Sequence, residues 1–163
     1  MSRRKRSVET DTLPVFPNSA PYNELLLRGT LSAKTRDWRW GHVGPVLLYT
    51  STSRVPIVLK AHGLDHRDIP AGCLVGIGNL CSVRETKRDE ARRIEREFAN
   101  GRRNVTALGC GERIRAGYYL YRFTDLTRFR APIPFKPPRG AVRTFRAPLS
   151  LVKEAIAQSG FKL

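Results

Sequence analysis

The sequence predicts an α+β fold that is mainly β, arranged as a small mixed barrel with a few short helices. Several apolar runs of strand length are interrupted by glycine or proline, and few stretches show helical periodicity. Strand and helix patterns do not alternate as parallel βαβ units require. The 163 residues are enough for one hydrophobic core and short of two. We therefore expect a single domain over residues 13–163.

The first dozen residues predict a flexible basic arm. Residues 3–6 are all Arg or Lys, and mostly polar residues follow as far as Thr12; such a segment can order on phosphate. Prolines at positions 14, 17 and 21 then predict an extended lead-in, because proline excludes helix there. The run from residue 22 to residue 28 predicts a short helix, which Gly29 ends.

A central segment, residues 29–51, combines a strand pattern with a cluster of cations and aromatic rings. Residues 45–49 are apolar, follow a Gly-Pro step and predict a buried strand. Before them, Trp38 and Trp40 are interleaved with Lys34, Arg36, Arg39 and His42. Such cations are not readily desolvated together, so we expect this half to lie outside the core. A loop of this composition suits a ligand with negative charge and flat rings.

Two contrasting patterns follow the central segment. Residues 71–83 are largely apolar and predict a strand, in which Gly76 and Gly78 mark either a bulge or a place where a ligand's backbone comes close. Residues 84–100 predict a long helix with apolar residues at i, i+3 and i+7. The charges nearly balance there, so we interpret residues 84–103 as a charged helical insertion with a solvated face.

The last third of the chain combines aromatic residues with a local positive excess. Residues 112–146 hold nine cations and two acids. Tyr119, Tyr121 and Phe123 alternate and predict one face of a strand, so part of the aromatic set belongs to the core. The cations then remain on loops and strand faces, where they can form a stripe for phosphates. A terminal helix is predicted before Gly160.

Four short motifs occur in a fixed order along the chain. They are Ala20-Pro21-Tyr22 with residues 24–29, Arg36-Asp37-Trp38 with residues 44–51, residues 70–76, and residues 118–123 with residues 132–140. Together these motifs resemble those of the ASCH domain family, a member of the PUA-like superfamily, over roughly residues 15–150. The resemblance implies a small PUA-like β-pseudo-barrel flanked by short helices.

The resemblance leaves two registers for the family's polar site residues. ASCH domains usually carry Gly-x-Lys-x-x-Glu-x-Arg. In the gap-free register Arg36 is retained, but Leu31 stands at the lysine position and Lys34 at the glutamate position. A register shifted by three residues restores the lysine, acid and arginine as Lys34, Asp37 and Arg39 but needs an insertion and loses the glycine to Ser32. Lys34 and Asp37 would then be the catalytic pair. We prefer the gap-free register, in which no catalytic residue is assigned.

The charge balance favours a nucleic-acid partner. Thirty Lys and Arg residues face fourteen acids, the net charge is +16, and 23 of the thirty are arginine. A guanidinium is planar, stays charged and binds phosphate in a bidentate fork. We therefore expect a nucleic-acid-binding protein that favours RNA over DNA, with Trp38 or Trp40 stacking an unpaired base. A subunit of a larger ribonucleoprotein fits the same features.

Two other classes of function stay open from the sequence. One is a hydrolase acting on a modified nucleoside or on RNA, as the ASCH resemblance implies for the shifted register. The other is a protein-only adaptor that uses the aromatic face, which predicts a weak dependence of binding on salt.

The expected contacts to nucleic acid share a cation, an aromatic ring or a strand-end hydroxyl. They are Lys34, Arg36, Trp38, Arg39, Ser51, Arg54, Arg128, Arg130, Lys136, Arg139 and Arg143. Phosphate contacts from such groups supply affinity and register, whereas base contacts supply specificity.

The sequence predicts no metal site, and we expect no cofactor. Its three cysteines, at positions 73, 81 and 110, include no C-x-x-C pair, which argues against a four-cysteine zinc site or a disulfide framework. There is no run of about eighteen apolar residues and no secretory signal pattern. We therefore expect an intracellular protein, cytoplasmic or nuclear, with no membrane partner.

Overall fold

The computed structural model describes residues 11–31, 33–90, 92–93, 117–141 and 143–163. Within these ranges the chain forms a six-stranded sheet with short helices. In chain order the elements are β1 (Thr12–Ala20), α1 (Tyr22–Leu27), β2 (Ala33–Arg36), β3 (Gly44–Arg54), α2 (Pro56–Ala61), β4 (Cys73–Glu85), β5 (Tyr119–Pro134), β6 (Phe145–Pro148) and α3 (Leu149–Ser159). A 3-10 helix spans His66–Asp68.

The sheet is mixed and open. Its strand order is β2-β5-β4-β3-β1-β6. β1 runs parallel to β3, and the other neighbouring strands are antiparallel. The predicted α+β, mainly β class is confirmed. The predicted barrel is not closed, because closure needs pairing between the two outer strands, and the described parts of β2 and β6 each pair on one side.

Successive residues along the strands face opposite sides of the sheet, and this alternation builds two apolar clusters. Phe16 of β1 lies in one cluster together with Leu25 of α1. Its neighbour Val15 lies in the other cluster together with Val152 and Ile156 of α3. Each fully buried side chain of this size contributes about 1.5–3 kcal/mol. α1 therefore packs on one face of the sheet and α3 on the other.

Most local expectations agree with the structure. The helix predicted from residue 22 is α1, the predicted strand at 45–49 lies inside β3, and the predicted terminal helix is α3. Gly160 caps α3 with a φ of 76°, a left-handed conformation that glycine adopts without steric penalty. No helix in the described ranges is long and apolar enough to cross a membrane.

The predicted arm and insertion fall largely outside the described residues. Residues 1–10 are among those not described, and Thr12 begins β1. The long helix expected from residue 84 was placed too early, because β4 continues to Glu85. Ladder hydrogen bonds to β5 hold Arg84 and Glu85 extended. Residues 88–90 and 92–93 are helical, and the rest of the expected helix lies outside the described ranges.

The side chain of Lys34 lies in the core, which corrects the expectation for this segment. It is 0 % exposed, and its Nζ lies 3.7 Å from the centroid of the Tyr22 ring. β2 pairs with β5, and Lys34 stands opposite Tyr121 in that ladder. The long aliphatic stem of a lysine can be buried in this way when the amine meets an aromatic face.

The glycines of β4 accommodate a bulge in β5. Between the pairs Ile77 with Thr127 and Asn79 with Thr124, β5 has one residue more than β4. Gly78 lies opposite the additional residue, and a Cβ added to Gly78 would lie 2.7 Å from Cδ2 of Leu126. A Cβ added to Gly76 would lie 2.5 Å from the carbonyl oxygen of Thr127, which flanks the bulge. Of the two interpretations of these glycines, the structure therefore supports the bulge.

Candidate nucleic-acid interface

A cleft of about 490 Å³ lies where β1, β2 and β3 meet the segment 137–145. Its walls comprise residues 17–19 of β1, Arg36 at the end of β2, Trp38, the second half of β3, and residues from the segment 137–145. The described lining contains two arginines and no carboxylate, histidine or cysteine. The positive charge of such a cleft attracts anionic ligands.

Arg36 is held in the cleft by hydrogen bonds to β1. Its Nη2 donates to the carbonyl oxygen of Pro17 and, at 2.5 Å, to Oδ1 of Asn18. The guanidinium carbon also lies 5.2 Å from the centroid of the Phe16 ring. Because both of these acceptors are uncharged, these two bonds orient the guanidinium without cancelling its charge.

Trp38 presents a half-buried indole to the same cleft. The indole packs edge-on against Tyr121, with ring centroids 5.6 Å apart. The Tyr121 hydroxyl donates a hydrogen bond of 2.6 Å to the carbonyl oxygen of Trp38. Burial raises the pKa of Tyr121 to about 12, while the positive charges of Arg36 and Arg143 act in the opposite direction. The backbone of Trp38 is therefore fixed by a hydroxyl that stays protonated.

Arg143 reaches the cleft from the segment that follows β5. Its guanidinium carbon lies 5.6 Å from the centroid of the Trp38 indole, which is a cation–π distance. Trp38 and Arg143 are both in the cleft wall, so an aromatic face and a planar cation meet there.

Hydroxyl groups and further aromatic rings complete the walls. Ser51, Thr52 and Ser53 lie near the end of β3 and line the cleft. Tyr49 and Phe145 also line it, and their ring centroids are 5.6 Å apart in an edge-to-face arrangement. The cleft thus offers hydroxyl donors and acceptors beside flat apolar surfaces.

The structure brings four of the eleven predicted contact residues into the cleft: Arg36, Trp38, Ser51 and Arg143. Four more are exposed cations, each within two residues of a lining residue: Arg39, Arg54, Lys136 and Arg139. We call these four side chains the rim cations. Trp40, the other candidate for base stacking, stacks on Phe16 with ring centroids 6.1 Å apart and does not belong to the lining.

The other three predicted contacts lie away from the cleft lining. Lys34 is buried, and Arg130 is exposed on β5. Arg128 donates hydrogen bonds of 2.9 and 3.0 Å to the carboxylate of Glu24. Burial raises the pKa of Glu24, but its hydrogen bonds to Arg128 and Arg28 outweigh this effect and hold the pKa below its ordinary value of 4.5.

The alternative catalytic pair is not assembled in the cleft. The Lys34 side chain points into the core beside Tyr22, Asp37 is exposed, and neither lines the cleft. Leu31, which the gap-free register puts at the lysine position, is also buried in the apolar cluster of α1. Within the described ranges, no three His, Cys, Asp or Glu side chains are grouped so that they could hold a metal ion.

Sequence patterns gave no signal for several cleft residues. Asn18 is the clearest case, since its chain neighbours Pro17 and Ser19 indicate only an extended segment. Its partner Arg36 is 18 residues away in the chain. Phe145 is one of the aromatic residues in the last third of the chain, but nothing in its spacing predicts a position near β3.

Comparison with solved structures shows that this open mixed sheet has an ASCH-like α+β fold. The structure resembles the crystal structure of ASCH from Zymomonas mobilis with a TM-score of 0.51 and 10 % identity, covering 88 % of this chain and 93 % of that one. A serine-to-alanine mutant of that protein gives a TM-score of 0.53 at 10 % identity over 90 % and 95 % of the two chains.

A tyrosine-to-phenylalanine mutant of the same protein gives a TM-score of 0.53 at 10 % identity over 88 % of this chain and 96 % of that one. At this identity the similarity establishes the fold. No family model matches the sequence, and no curated protein matches it significantly.

Proposed function

We propose that the protein binds nucleic acid, favours single-stranded RNA, and takes one unpaired nucleotide into the cleft. The observation that carries this proposal is the convergence of Trp38, Arg36 and Arg143 in one cleft whose described lining has no carboxylate. The ASCH-like fold supports the proposal, because PUA-like domains form an RNA-binding superfamily.

The size of the cleft suits a single nucleotide. Ligand pockets commonly measure about 300–1,000 Å³, and this one is about 490 Å³. A base inside a duplex has to leave its stack before it can enter such a site. Single strands, whose bases are already unpaired and can be splayed out, are therefore the favoured ligand.

Each wall has a distinct chemical role. The indole of Trp38 provides a stacking face, and stacking of a base on an aromatic side chain contributes about 1–3 kcal/mol. Arg36 and Arg143 provide charge-assisted hydrogen bonds to phosphate. Ser51 and its neighbouring hydroxyls provide contacts to phosphate or to the ribose 2′-hydroxyl, the group that distinguishes RNA from DNA.

The rim cations supply the part of the affinity that does not depend on sequence. Arg39, Arg54, Lys136 and Arg139 are exposed, and the whole chain carries a net charge of +16. Each phosphate neutralised on a single strand adds about 0.7 to the slope of log affinity against log salt. We therefore expect a steep salt dependence.

The test is a binding titration of a short single-stranded RNA and of a matched DNA duplex across a salt series. Trp38→Ala and Trp40→Ala form a matched pair, since both rings pack on Phe16 and only Trp38 lines the cleft. We expect Trp38→Ala to weaken RNA binding by about 1–3 kcal/mol and Trp40→Ala to change it little. Thermal unfolding of both variants separates this effect from loss of fold.

Other outcomes distinguish the alternatives. A steep salt slope that neither Trp38→Ala nor Arg36→Ala changes would place binding on the basic surface and favour docking within a larger ribonucleoprotein. A flat salt slope for wild-type protein would contradict nucleic-acid binding and favour a protein-only adaptor. Arg130→Ala, which removes an exposed arginine away from the cleft, is the charge-matched control for Arg36→Ala.

A further inference from the structure

A chain of three side-chain hydrogen bonds runs from the cleft into the interior of the fold. Arg36 Nη2 donates to Asn18 Oδ1 at 2.5 Å, Asn18 Nδ2 donates to Asn23 Oδ1 at 2.7 Å, and Asn23 Nδ2 donates to Thr50 Oγ1 at 3.1 Å. Asn18, Asn23 and Thr50 are 2 %, 0 % and 2 % exposed. Apart from its cleft end, this polar chain is therefore shielded from water.

The chain joins three strands that line the cleft, by way of α1. Arg36 ends β2, Asn18 lies on β1, Asn23 lies in the first turn of α1, and Thr50 lies on β3. Thr50 is followed directly by Ser51, which lines the cleft. The arginine of one wall is therefore connected through buried groups to the hydroxyl segment of the other wall.

The bonds all run in one donor-to-acceptor direction, and this fixes the orientation of both amides. Rotating the Asn18 amide by 180° would set its NH₂ group against the Arg36 guanidinium and its oxygen against the Asn23 oxygen. The bond from Arg36 therefore sets the Asn18 amide, and the bond from Asn18 sets the Asn23 amide, whose NH₂ group donates to the Thr50 hydroxyl. Buried networks of this kind reinforce one another. Arg36 accordingly meets a fixed acceptor.

We propose that Asn18, Asn23 and Thr50 are positioning residues that hold the Arg36 guanidinium where it meets the phosphate or base edge of the bound nucleotide. This inference rests on the proposed function. An arginine side chain loses rotamer entropy when it is fixed. A pre-oriented arginine has already undergone that loss, so binding is tighter.

A purely structural role for these residues makes a different prediction. If the chain only satisfies buried polar groups, breaking it lowers stability and leaves the contribution of Arg36 to binding unchanged. If it positions Arg36, breaking it weakens RNA binding only while Arg36 is present. The two roles are therefore distinguished by a double-mutant cycle.

Thr50→Val breaks the chain at the end remote from the cleft. Valine keeps the volume of threonine but removes the acceptor of the Asn23 amide, and Thr50→Ser, which keeps the hydroxyl, is the matched control. We expect Thr50→Val to weaken RNA binding about three- to tenfold and Thr50→Ser to stay within about twofold of wild type. In an Arg36→Ala background, Thr50→Val should have no further effect. Equal loss in both backgrounds would overturn the inference.

A second measurement requires no RNA and so separates failure of this inference from failure of the proposed function. The ¹⁵N relaxation of the Arg36 Nε–Hε group, recorded by NMR, reports how rigid the guanidinium is. We expect it to be rigid in wild type and Thr50→Ser and mobile in Thr50→Val. If Thr50→Val does not fold, Asn18→Ala replaces it in this measurement. Asn18→Ala removes the acceptor of the Arg36 guanidinium itself and should give the same mobility. An Arg36 signal that is equally rigid in Asn18→Ala would overturn the inference whether or not wild type binds RNA.

Discussion

The guanidinium carbon of Arg143 lies 5.6 Å from the centroid of the Trp38 indole, although 105 residues separate the two in the chain. Arg143 is exposed and Trp38 is half-buried, so this contact covers part of an aromatic face at the mouth of the cleft. Exposed cation–π contacts of this kind contribute about 0.5–1 kcal/mol. A base that stacks on Trp38 therefore meets a planar cation that can stack on it or bind its phosphate.

Arg143→Lys and Arg143→Ala separate the charge of Arg143 from its planar shape. Lysine keeps the charge but does not stack as a flat group. We expect Arg143→Lys to preserve the salt slope while weakening affinity for single-stranded RNA, and Arg143→Ala to lower the slope by about 0.7 as well. Arg130→Lys is the matched control outside the cleft. Wild-type affinity of Arg143→Lys would show that the planar shape makes no contribution.

The sequence predicted α1, α3 and β3 correctly, because residues close by in the chain mark where each of these elements begins and ends. α1 and α3 were predicted because an apolar pattern and a following glycine are visible within a dozen residues. β3 was predicted because its apolar run is continuous. In the site, Arg36 and Trp38 were predicted from the density of cations and rings in one short segment, which marks a surface that cannot be wholly apolar.

Pairing between distant segments set the features that local signals did not predict. Lys34 was expected outside the core because four neighbouring cations cannot easily be desolvated together, but its pairing with Tyr121 in the sheet directs it inward. The open sheet depends on which strands pair at its edges. Asn18 and Phe145 reach the cleft through strand order alone, and neither position has a sequence pattern that encodes it.

Tyr121→Phe tests whether RNA binding depends on the hydrogen bond that fixes the backbone of Trp38. The substitution removes the hydroxyl that donates to the Trp38 carbonyl oxygen at 2.6 Å, and loss of such a bond usually lowers stability by about 0.5–1.5 kcal/mol. We expect a lower free energy of unfolding in urea and weaker RNA binding at neutral pH. Unchanged RNA affinity in a destabilised Tyr121→Phe would show that the bond serves the fold and not the site.

The same variant has an expected effect at alkaline pH. Burial raises the folded-state pKa of Tyr121 from 10.0 to about 12. The folded state therefore retains the proton that the unfolded state loses, and this contribution to stability is full below pH 10 and is lost as pH rises towards 12. Urea unfolding at pH 9 and pH 11 should show a smaller decline for Tyr121→Phe than for wild type. Equal declines would contradict this assignment.

The lowered pKa of Glu24 predicts that the free energy of unfolding decreases at acid pH. Its carboxylate accepts from Arg28 at 2.6 Å and from Arg128 at 2.9 and 3.0 Å, and its pKa is held below 4.5 despite the opposing effect of burial. The stability that this provides is present above pH 4.5 and is lost as pH falls through the lowered pKa. Glu24→Gln should therefore lose less stability than wild type between pH 6 and pH 3.

The control for this measurement is Glu154→Gln, which removes an exposed carboxylate from α3. We expect its acid profile of unfolding free energy to follow that of wild type. If Glu24→Gln follows wild type as well, the ion pairs with Arg28 and Arg128 make no net contribution, as is common for exposed pairs. RNA binding at neutral pH should be unchanged in Glu24→Gln unless the released Arg128 acquires a phosphate contact.

Gly76→Ala tests whether the bulge between β4 and β5 demands a residue without a side chain. An added Cβ would lie 2.5 Å from the carbonyl oxygen of Thr127 and 3.1 Å from Cδ2 of Leu27. The first of these atoms belongs to backbone that is paired in the sheet, so it cannot move aside cheaply. We expect a loss of about 1–3 kcal/mol in the free energy of unfolding.

Gly41→Ala is the matched control, because an added Cβ there meets no described atom within 4 Å. Its free energy of unfolding should stay within about 0.5 kcal/mol of wild type. Neither Gly76 nor the bulge residues 124–127 belong to the cleft lining, so Gly76→Ala that remains folded should bind RNA as wild type does. Weaker RNA binding by a fully folded Gly76→Ala would show that the bulge in β5 also shapes the cleft.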